Sequence, residues 1–415
     1  MKFTAIVARD SDDGVSKEGK LPWINPSSVA TFRDLVRDGD LVPEPRDQRE
    51  ARDVFVVATK TTVRKYRPEC LVICTIDGRY GCDETIDDDD LGLKKHYSLW
   101  GTRRSPGCTW RVYTSSPDAH VPRSVHAWHW ESAYLDLVRD VLETGAVRDD
   151  RTGTGTKSVF GRHLDIDLAH GFPLLTTKKT FWKGITKEIL WFLQGRTDAK
   201  ELSREGVRIW DGNTSASFLR DRGLDYQEGD AGPVYGFQWR HWGAEYRGCD
   251  TEYRDEGSDQ LKALVRGLRT DPFSRRHVVS AWNVADLDRM ALPPCHVLFQ
   301  CYVTHDHRID LHLYQRSVDV GLGLPFNIAS YALLVHLLSS LTGYAPGRLV
   351  MSLGDVHIYS DHVEQMERQR TRVPKAPPRL LVRPNRYSWL HEFRETDISL
   401  EDYHAHPAVP MRMAV

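Results

Sequence analysis

The sequence has 415 residues, of which 40% are hydrophobic and 27% charged. This composition is typical of a globular protein with about two or three domains, and it excludes a wholly disordered chain, a collagen-like repeat and a small disulfide-stapled domain. Lysine and arginine total 56 and aspartate and glutamate total 58, so the formal charge is -2 and we expect no general affinity for DNA. Binding of a phosphate group would require a local cluster of basic residues.

The N-terminus and the cysteines indicate a cytoplasmic or nuclear location. The apolar stretch Met1–Ala8 is too short for a signal peptide, and no run of about 18 apolar residues predicts a membrane span. The seven cysteines are odd in number and show no CxxC spacing. This pattern indicates free thiols and no zinc site.

The chain divides into two regions of different character. Residues 1–114 contain short β-like runs separated by polar, glycine-containing stretches. Residues 115–127 hold two prolines without hydrophobic periodicity, which predicts a linker. The sequence of residues 128–415 predicts a larger domain with helices and a large sheet. The predicted fold class is therefore α+β.

Hydrophobic periodicity defines the main elements of the second region. The predicted helices are Tyr134–Leu142, Ile185–Gln194, Leu261–Leu268 and Ile328–Leu341. The predicted strands are Val278–Trp282, Val297–Val303 and Ile309–Tyr314. Because the last helix is apolar on almost every side, we expect it to be buried in the centre of the domain.

Cys295 follows two prolines at the entry to an apolar strand. On its own it is interpreted as a small core residue, because a reactive thiolate needs positive charge nearby. Arg151, Arg316 and the pair Arg275 and Arg276 could supply that charge and bind a dianionic phosphate, since guanidinium groups match phosphate oxygens. Each arginine also has the simpler interpretation of a solvated surface residue.

Three further polar features lie next to apolar segments. Asn327 precedes the predicted central helix, where it either caps that helix or pairs with the O and N–H edge of a uracil ring. His357 and Tyr359 alternate along one strand and face the same side, as a structural network or as contacts to a sugar hydroxyl. Glu188 lies in an apolar helix, where burial would raise its pKa into the range useful for proton transfer.

Eight motifs follow one another in the second region. They are Asp150–Thr156, Phe172–Lys179, Glu188–Leu193, Gly232–Arg240, Pro294–His296, Tyr314–Ser317, Leu324–Asn327 and Met413–Val415. Together they resemble the thymidylate synthase family over residues 130–415. The stretches Asp211–Gly232 and Trp242–Tyr246 resemble the longer eukaryotic-type members. Asn327 distinguishes the chain from the related deoxycytidylate hydroxymethylases, which carry an aspartate there.

The resemblance implies a homodimeric methyltransferase that converts dUMP to dTMP. Its co-substrate would be 5,10-methylenetetrahydrofolate, the carbon donor and reductant, and dihydrofolate would be released. Cys295 would add to carbon 6 of the uracil ring, Glu188 would order water and shuttle protons, and Tyr235 would help to remove the proton from carbon 5. The implied catalytic residues are Cys295, Glu188, Tyr235, His296, Asn327 and Arg316.

The binding residues follow from the same resemblance, which implies no metal, no membrane and no DNA partner. The implied dUMP-binding residues are Arg151, Arg275, Arg276, Arg316, Ser317, Asp319, Asn327, His357 and Tyr359. Arg275 and Arg276 would reach into the site of the partner subunit. The implied folate-binding residues are Lys178, Trp210, Asn213, Asp319, Gly323, Phe326 and Val415.

The first region resembles the start of dihydrofolate reductase in Phe3–Ala8 and Gly14–Trp23. Ser28 stands where that family carries the carboxylic acid that protonates the pterin, and Ala58 and Thr59 replace its Gly-Arg/Lys pair. The region is short for that family and has no Gly-Gly pair to cradle the cofactor. We therefore expect a degenerate reductase-like region that does not use NADPH.

Three alternative functions are open to the sequence. A bifunctional dihydrofolate reductase–thymidylate synthase is opposed by Ser28 and by the missing glycines. A binding protein with a silent synthase fold is opposed by the complete set of catalytic residue types. A Cys-His hydrolase built on Cys295 and His296 would leave the arginines without a role.

The N-terminal region is expected to have no reductase activity, because a serine hydroxyl cannot supply the proton that a carboxylic acid supplies at neutral pH. With dihydrofolate added, NADPH oxidation by the full-length chain should stay at the background rate. A clear rate that an antifolate abolishes would overturn the interpretation of Ser28.

Overall fold

The computed structural model describes residues 4–10, 14–16, 31–32, 34–36, 40–42, 54–57, 63, 67–76, 84–85, 87–105, 108–383 and 386–414. Ser28, Ala58, Thr59 and Val415 lie outside the described residues. The chain forms two compact units. The first unit comprises Met1–Ala133 and Val373–Pro377, and the second comprises Tyr134–Arg372 and Pro378–Val415.

The first unit is built on a six-stranded mixed sheet. Its strands, in spatial order, are β3 (Asp40–Val42), β4 (Val54–Val57), β1 (Thr4–Asp10), β5 (Cys70–Ile76), β8 (Cys108–Thr114) and β7 (Ser98–Ser105). The first four pair in parallel, and β8 pairs antiparallel with both β5 and β7. A separate pair is formed by β2 (Gly14–Ser16) and β6 (Glu84–Thr85), and two short helices are α1 (Asp88–Leu91) and α2 (Leu93–His96).

The segment 115–127, for which the sequence predicts a linker, lies inside the first unit. It leads into a 3-10 helix, Arg123–Trp128, in which Val125 is fully buried. The first unit also includes Val373–Pro377, which returns from far along the chain. The indole N–H of Trp100 donates to the carbonyl of Pro374 (2.9 Å), and the His129 ring Nε2 lies 3.0 Å from the carbonyl of Lys375.

The second unit contains the large mixed sheet that the sequence predicts. Its strands, in spatial order, are β11 (Val278–Ser280), β12 (His296–Val303), β13 (Arg308–Asp319), β14 (Ala345–Tyr359), β10 (Thr156–Asp167) and β9 (Ala146–Arg148). β13 and β14 pair in parallel and the other neighbours pair antiparallel. A small antiparallel pair is formed by β15 (Arg379–Val382) and β16 (Ile398–Glu401).

The second unit also contains helices, several of which pack against this sheet. From residue 130 onward they are α3 (Trp130–Thr144), α4 (Trp182–Leu193), α5 (Ala199–Arg204), α6 (Ala216–Asp221), α7 (Tyr235–His241), α8 (Gln260–Thr270), α9 (Gly323–Thr342) and α10 (Val363–Arg370). Among the described residues α9 has the length and hydropathy of a possible membrane span, but most of it is buried within this unit. It is the central helix that the sequence predicts.

The predicted helices and strands of this unit are present, and the bounds of two of them differ from the prediction by five residues at one end. Strand β13 extends to Asp319, five residues beyond the predicted Tyr314, because its polar end pairs in parallel with the end of β14. Helix α9 begins at Gly323, so Asn327 lies within its first turns. The interpretation of Asn327 as a helix cap is therefore wrong, and its amide is available for other contacts.

Candidate active site

Cys295 lies immediately before β12, where two other elements fix its backbone. Its N–H donates to the hydroxyl of Tyr235 at the start of α7 (2.7 Å). Its carbonyl accepts from the backbone N–H of Arg316 on β13 (2.9 Å). The cysteine is half-buried, and the sheet and α7 together determine where its sulfur lies.

Arg316 holds the two prolines that precede Cys295. Its Nε donates to the carbonyl of Pro294 and its Nη2 to the carbonyl of Pro293, each at 2.9 Å. The guanidinium carbon lies 5.4 Å from the centre of the Trp282 ring, a favourable cation–π distance. A positive charge is therefore fixed beside the sulfur by three contacts.

Opposing effects act on the thiol of Cys295. Burial raises its pKa, and the positive charge of Arg316 with the hydrogen bonds from Tyr235 and Ser317 offsets part of the rise. The negative charge of Asp319, like burial, raises the pKa of the thiol. Arg316 lowers the pKa of the thiol as expected, but the effect of burial is larger and favours the protonated thiol.

Glu188 lies on α4 with its carboxyl group buried. The indole N–H of Trp210 donates to its Oε1 at 2.8 Å. Burial raises the pKa of Glu188 to about 7, and the hydrogen bond from Trp210 counteracts part of this effect. The carboxyl group can therefore both hold and release a proton at neutral pH, as the sequence predicts.

A chain of polar groups links His296, Asn327 and Gln315. The amide nitrogen of Asn327 lies 2.7 Å from Nε2 of His296, and because an amide nitrogen only donates, Nε2 must accept. Gln315 donates to Oδ1 of Asn327 at 2.8 Å. Burial lowers the pKa of His296 to about 3, so the ring is neutral. With Nε2 occupied, His296 is a poor base for a Cys-His hydrolase.

The parallel pairing of β13 and β14 brings a second polar group together. Asp319 lies opposite His357 in the register, and the His357 Nδ1 lies 3.0 Å from Oδ1 of Asp355. The rings of His357 and Tyr359 meet edge to face at 5.3 Å. Burial raises the pKa of Tyr359 to about 12. The two residues thus face the same side of the strand, as their spacing predicts.

The loop that carries Arg151 is held by Asp150. Its carboxylate accepts from the backbone N–H groups of Thr152 (2.9 Å) and Gly155 (2.8 Å). Gly153 and Gly155 have φ values of 73° and 77°, a left-handed conformation that favours glycine. Arg151 is exposed, and its positive charge lowers the pKa of Tyr359. The charge of Cys295 acts on the same pKa in the opposite direction.

Some of the remaining implied residues surround the start of α9. Nζ of Lys178 donates to the carbonyl of Gly321, and Oδ1 of Asp319 accepts from the N–H of Gly321 at 2.9 Å. Gly323 and the partly buried Phe326 lie in the first turns of the helix. Asn213 is buried, and in the described part of the chain its Nδ2 has no hydrogen-bond partner. The same part has no cluster of three His, Cys, Asp or Glu residues that could hold a metal ion.

Comparison with known proteins agrees with this geometry. The profile of the family described as "Thymidylate synthase" matches residues 132–415. The chain belongs to the thymidylate synthase family.

Individual synthases match the same part of the chain. The thymidylate synthase of Equine herpesvirus 2 is 52% identical over 288 residues, which cover 69% of this chain and 99% of that protein. The human synthase is 49% identical over 288 residues, 69% of this chain and 91% of that protein. The bifunctional dihydrofolate reductase-thymidylate synthase of Leishmania major is 49% identical over 299 residues, 71% of this chain and 56% of that protein.

Two implied site residues of the synthase lie apart from the cluster. Arg275 and Arg276 are exposed in the loop before β11, and the structure records no contact between their side chains and the cluster around Cys295. Val415 lies outside the described residues. The positions of these three residues relative to the substrate stay predictions.

Sequence reasoning assigned no role to three residues that the structure brings to the synthase site. Gln315 fixes the amide of Asn327, Trp282 packs on Arg316, and the Tyr331 ring meets His296 edge to face at 5.5 Å. Gln315 had a signal, since a glutamine in the buried part of a strand needs a polar partner. Trp282 and Tyr331 resemble ordinary core aromatics in the sequence.

The raised pKa of Glu188 predicts a pH-dependent stability difference. The ordinary value of 4.5 rises to about 7 on folding, so the folded chain binds this proton more tightly. Relative to Glu188→Gln, the wild-type chain should therefore be most stable below pH 4.5 and lose about 3 kcal/mol as the pH rises through 7.

Urea unfolding of the second unit between pH 4 and 8 measures this difference. Glu228→Gln, at an exposed position, is the matched control for the loss of a glutamate carboxyl group. A flat difference for Glu188→Gln would show that the carboxyl group titrates normally.

Proposed function

We propose that this chain catalyses the reductive methylation of dUMP to dTMP with Cys295 as the nucleophile. Its membership of the thymidylate synthase family supports the reaction, and 5,10-methylenetetrahydrofolate is the co-substrate of that family. The observation that carries the assignment of residues is the cluster of Arg316, Ser317 and Tyr235 around the sulfur. A cysteine that served only for packing would not need a cation fixed beside it.

The sulfur, as the thiolate, begins the reaction by bonding to carbon 6 of the uracil ring. The ring electrons move to carbon 5, which becomes the nucleophile that takes up the one-carbon group. The folate supplies that carbon: after carbon 5 has lost its proton, the bond between the new carbon and the folate nitrogen breaks, and a hydride from the folate completes the methyl group and leaves dihydrofolate. The proton leaves carbon 5 toward Tyr235 or its water, and the carbon–sulfur bond breaks to return the thiolate. The Tyr235 hydroxyl is suited to this step because it is bound to the backbone of Cys295 itself.

Glu188, His296 and Asn327 act on the base. With a pKa of about 7, Glu188 can pass a proton to ordered water near the base carbonyl at neutral pH. His296 is neutral and holds the amide of Asn327 on one side, while Gln315 holds it on the other. An amide fixed in this way presents one orientation to the O and N–H edge of uracil, which favours uracil over cytosine.

The nucleotide phosphate is assigned to Arg151, Arg316 and Ser317, and its sugar to His357 and Tyr359. The positive charge of Arg151 affects the pKa of Tyr359, and the parallel strand pairing places His357 opposite Asp319. This arrangement supports one continuous site from the sulfur to the sugar. The folate is assigned to Lys178, Trp210, Asn213, Gly323 and Phe326, with Val415 closing over it.

We propose that the chain forms a homodimer through the exposed face of the large sheet. Val278, Tyr302 and Tyr314 are 45%, 53% and 39% exposed and lie on one face according to the strand register. Exposed apolar side chains that share one sheet face mark an interaction surface. Arg275 and Arg276 precede the edge strand β11, where they could reach the phosphate bound by the partner subunit.

We propose that the first unit is a degenerate reductase-like region that has no catalytic activity of its own. The match with the bifunctional relative covers only the synthase part of this chain. Residues Ser28, Ala58 and Thr59 support the loss of the reductase chemistry. A cytoplasmic or nuclear location is consistent with the free cysteines.

Replacing the nucleophile should separate binding from chemistry. Cys295→Ser removes the sulfur but leaves the phosphate contacts, so dUMP binding should persist while turnover is lost. Binding can be measured by calorimetry, and turnover by tritium release from position 5 of labelled dUMP with methylenetetrahydrofolate present. Failure of the folded wild-type dimer to release tritium would remove the proposed enzyme function.

Mixed dimers test whether Arg275 and Arg276 act in the partner subunit. Cys295→Ser chains and chains with both arginines replaced by alanine should each be inactive. After subunit exchange, half of the dimers are hybrids with one intact site, so about a quarter of the wild-type activity should return. The control is a mixture of Cys295→Ser and Arg316→Ala chains, in which no hybrid site is intact. No recovery in the first mixture would place the paired arginines in their own subunit's site.

A further inference from the structure

The turn that leads into Tyr235 is held by a buried carboxylate that has no role in the chemistry above. Asp230 is 2% exposed. Its Oδ1 accepts from the N–H of Gly232 (2.8 Å) and from the hydroxyl of Tyr246 (2.5 Å), and its Oδ2 accepts from the N–H of Cys249 (3.0 Å). Three donors thus satisfy a carboxylate that burial would otherwise make costly.

This turn is joined directly to the turn that leads into Cys295. The N–H of Ala291 donates to the carbonyl of Ala231 at 3.1 Å. A Cβ on Gly232 would lie 2.4 Å from the carbonyl oxygen of Arg289, so the two turns are in close backbone contact. The bond from Cys295 to the hydroxyl of Tyr235 closes the connection at the reacting end. The distance between the two reacting side chains therefore depends on how these turns are held together.

Tyr246 contacts both turns from one position. Its hydroxyl binds Asp230 and lies 2.9 Å from Oγ1 of Thr197, and its carbonyl accepts from Nη2 of Arg289 at 2.7 Å. Burial, followed by the charge of Asp230, raises the pKa of Tyr246, which keeps its hydroxyl as a donor. Tyr246 belongs to the segment 242–246, which resembles the longer eukaryotic-type synthases. That segment is thereby connected to the turn before Tyr235 through the Tyr246 hydroxyl and to the turn before Cys295 through the Tyr246 carbonyl.

We propose that Asp230 and Tyr246 are positioning residues that set the geometry between the Tyr235 hydroxyl and Cys295. Their effect falls on the removal of the proton from carbon 5, the step in which Tyr235 takes part. This inference rests on the proposed function of the site. A displacement of about 1 Å between reacting groups can lower a rate by about a hundredfold, so the loss of one anchoring hydrogen bond is measurable.

Tyr246→Phe tests the proposal with a minimal change. The ring keeps its contacts with Phe237 (5.0 Å) and with the stacked Tyr253 (5.8 Å), and only the hydroxyl that binds Asp230 is lost. We expect the rate of tritium release from position 5 to fall about tenfold, as the loss of one hydrogen bond implies. The KM for dUMP should stay within about twofold, since the phosphate contacts are untouched. The covalent adduct on Cys295, trapped by denaturation, should accumulate.

Tyr253→Phe is the matched control. Tyr253 lies in the same aromatic cluster, but its hydroxyl donates to the carbonyl of Gly248 and accepts from the N–H of Arg247, so it has no bond to Asp230. Its loss should leave turnover unchanged. Asp230→Asn, which turns one acceptor into a donor, should lower tritium release further than Tyr246→Phe does. Should Asp230→Asn not fold, Tyr246→Phe decides the question alone.

Two outcomes overturn the inference. Equal rates for Tyr246→Phe and Tyr253→Phe would show that the bond to Asp230 does not affect the reaction. A parallel loss of dUMP binding, adduct formation and tritium release in Tyr246→Phe would show a general effect on the fold. Both differ from failure of the proposed function, in which the wild-type chain itself would release no tritium.

Discussion

The two hydrogen bonds from Arg316 to consecutive prolyl carbonyls are the interaction on which the site depends. Proline has no N–H, so Pro293 and Pro294 cannot pair with a neighbouring strand through donors of their own. Their carbonyls are instead bound by a side chain that comes from the adjacent strand β13. The same guanidinium group offsets part of the rise that burial causes in the pKa of the thiol that follows. One residue therefore contributes both to the position of the sulfur and to the electric field around it.

Burial displaces the titrating groups of the site toward their neutral forms. It raises the pKa of Glu188 and of Cys295 and lowers that of His296. These groups therefore carry little charge among themselves, and the positive charge beside the sulfur comes from Arg316, opposed by the negative charge of Asp319. Such a site favours a dianionic ligand with a neutral base. It also keeps Glu188 close to the midpoint of its titration, where small changes in its surroundings move a proton.

The sequence predicts the elements of the second unit well, because its helices and strands have clear periodicity and apolar runs. The prediction from sequence fails at positions whose role depends on tertiary contacts. Asn327 has the sequence context of a helix cap, but the helix starts four residues earlier at Gly323. Gln315 and Trp282 are revealed as site residues only by the side chains they meet across strands. The segment 115–127 lacks periodicity, and the burial of Val125 depends on packing that no local pattern records.

The return of Val373–Pro377 to the first unit has a consequence for biosynthesis. Trp100 is bonded to a carbonyl 274 positions further along the chain, and His129 contacts the next residue. During translation these indole and imidazole groups emerge long before the backbone that satisfies them. The first unit therefore cannot complete its hydrogen bonding until most of the second has been synthesised.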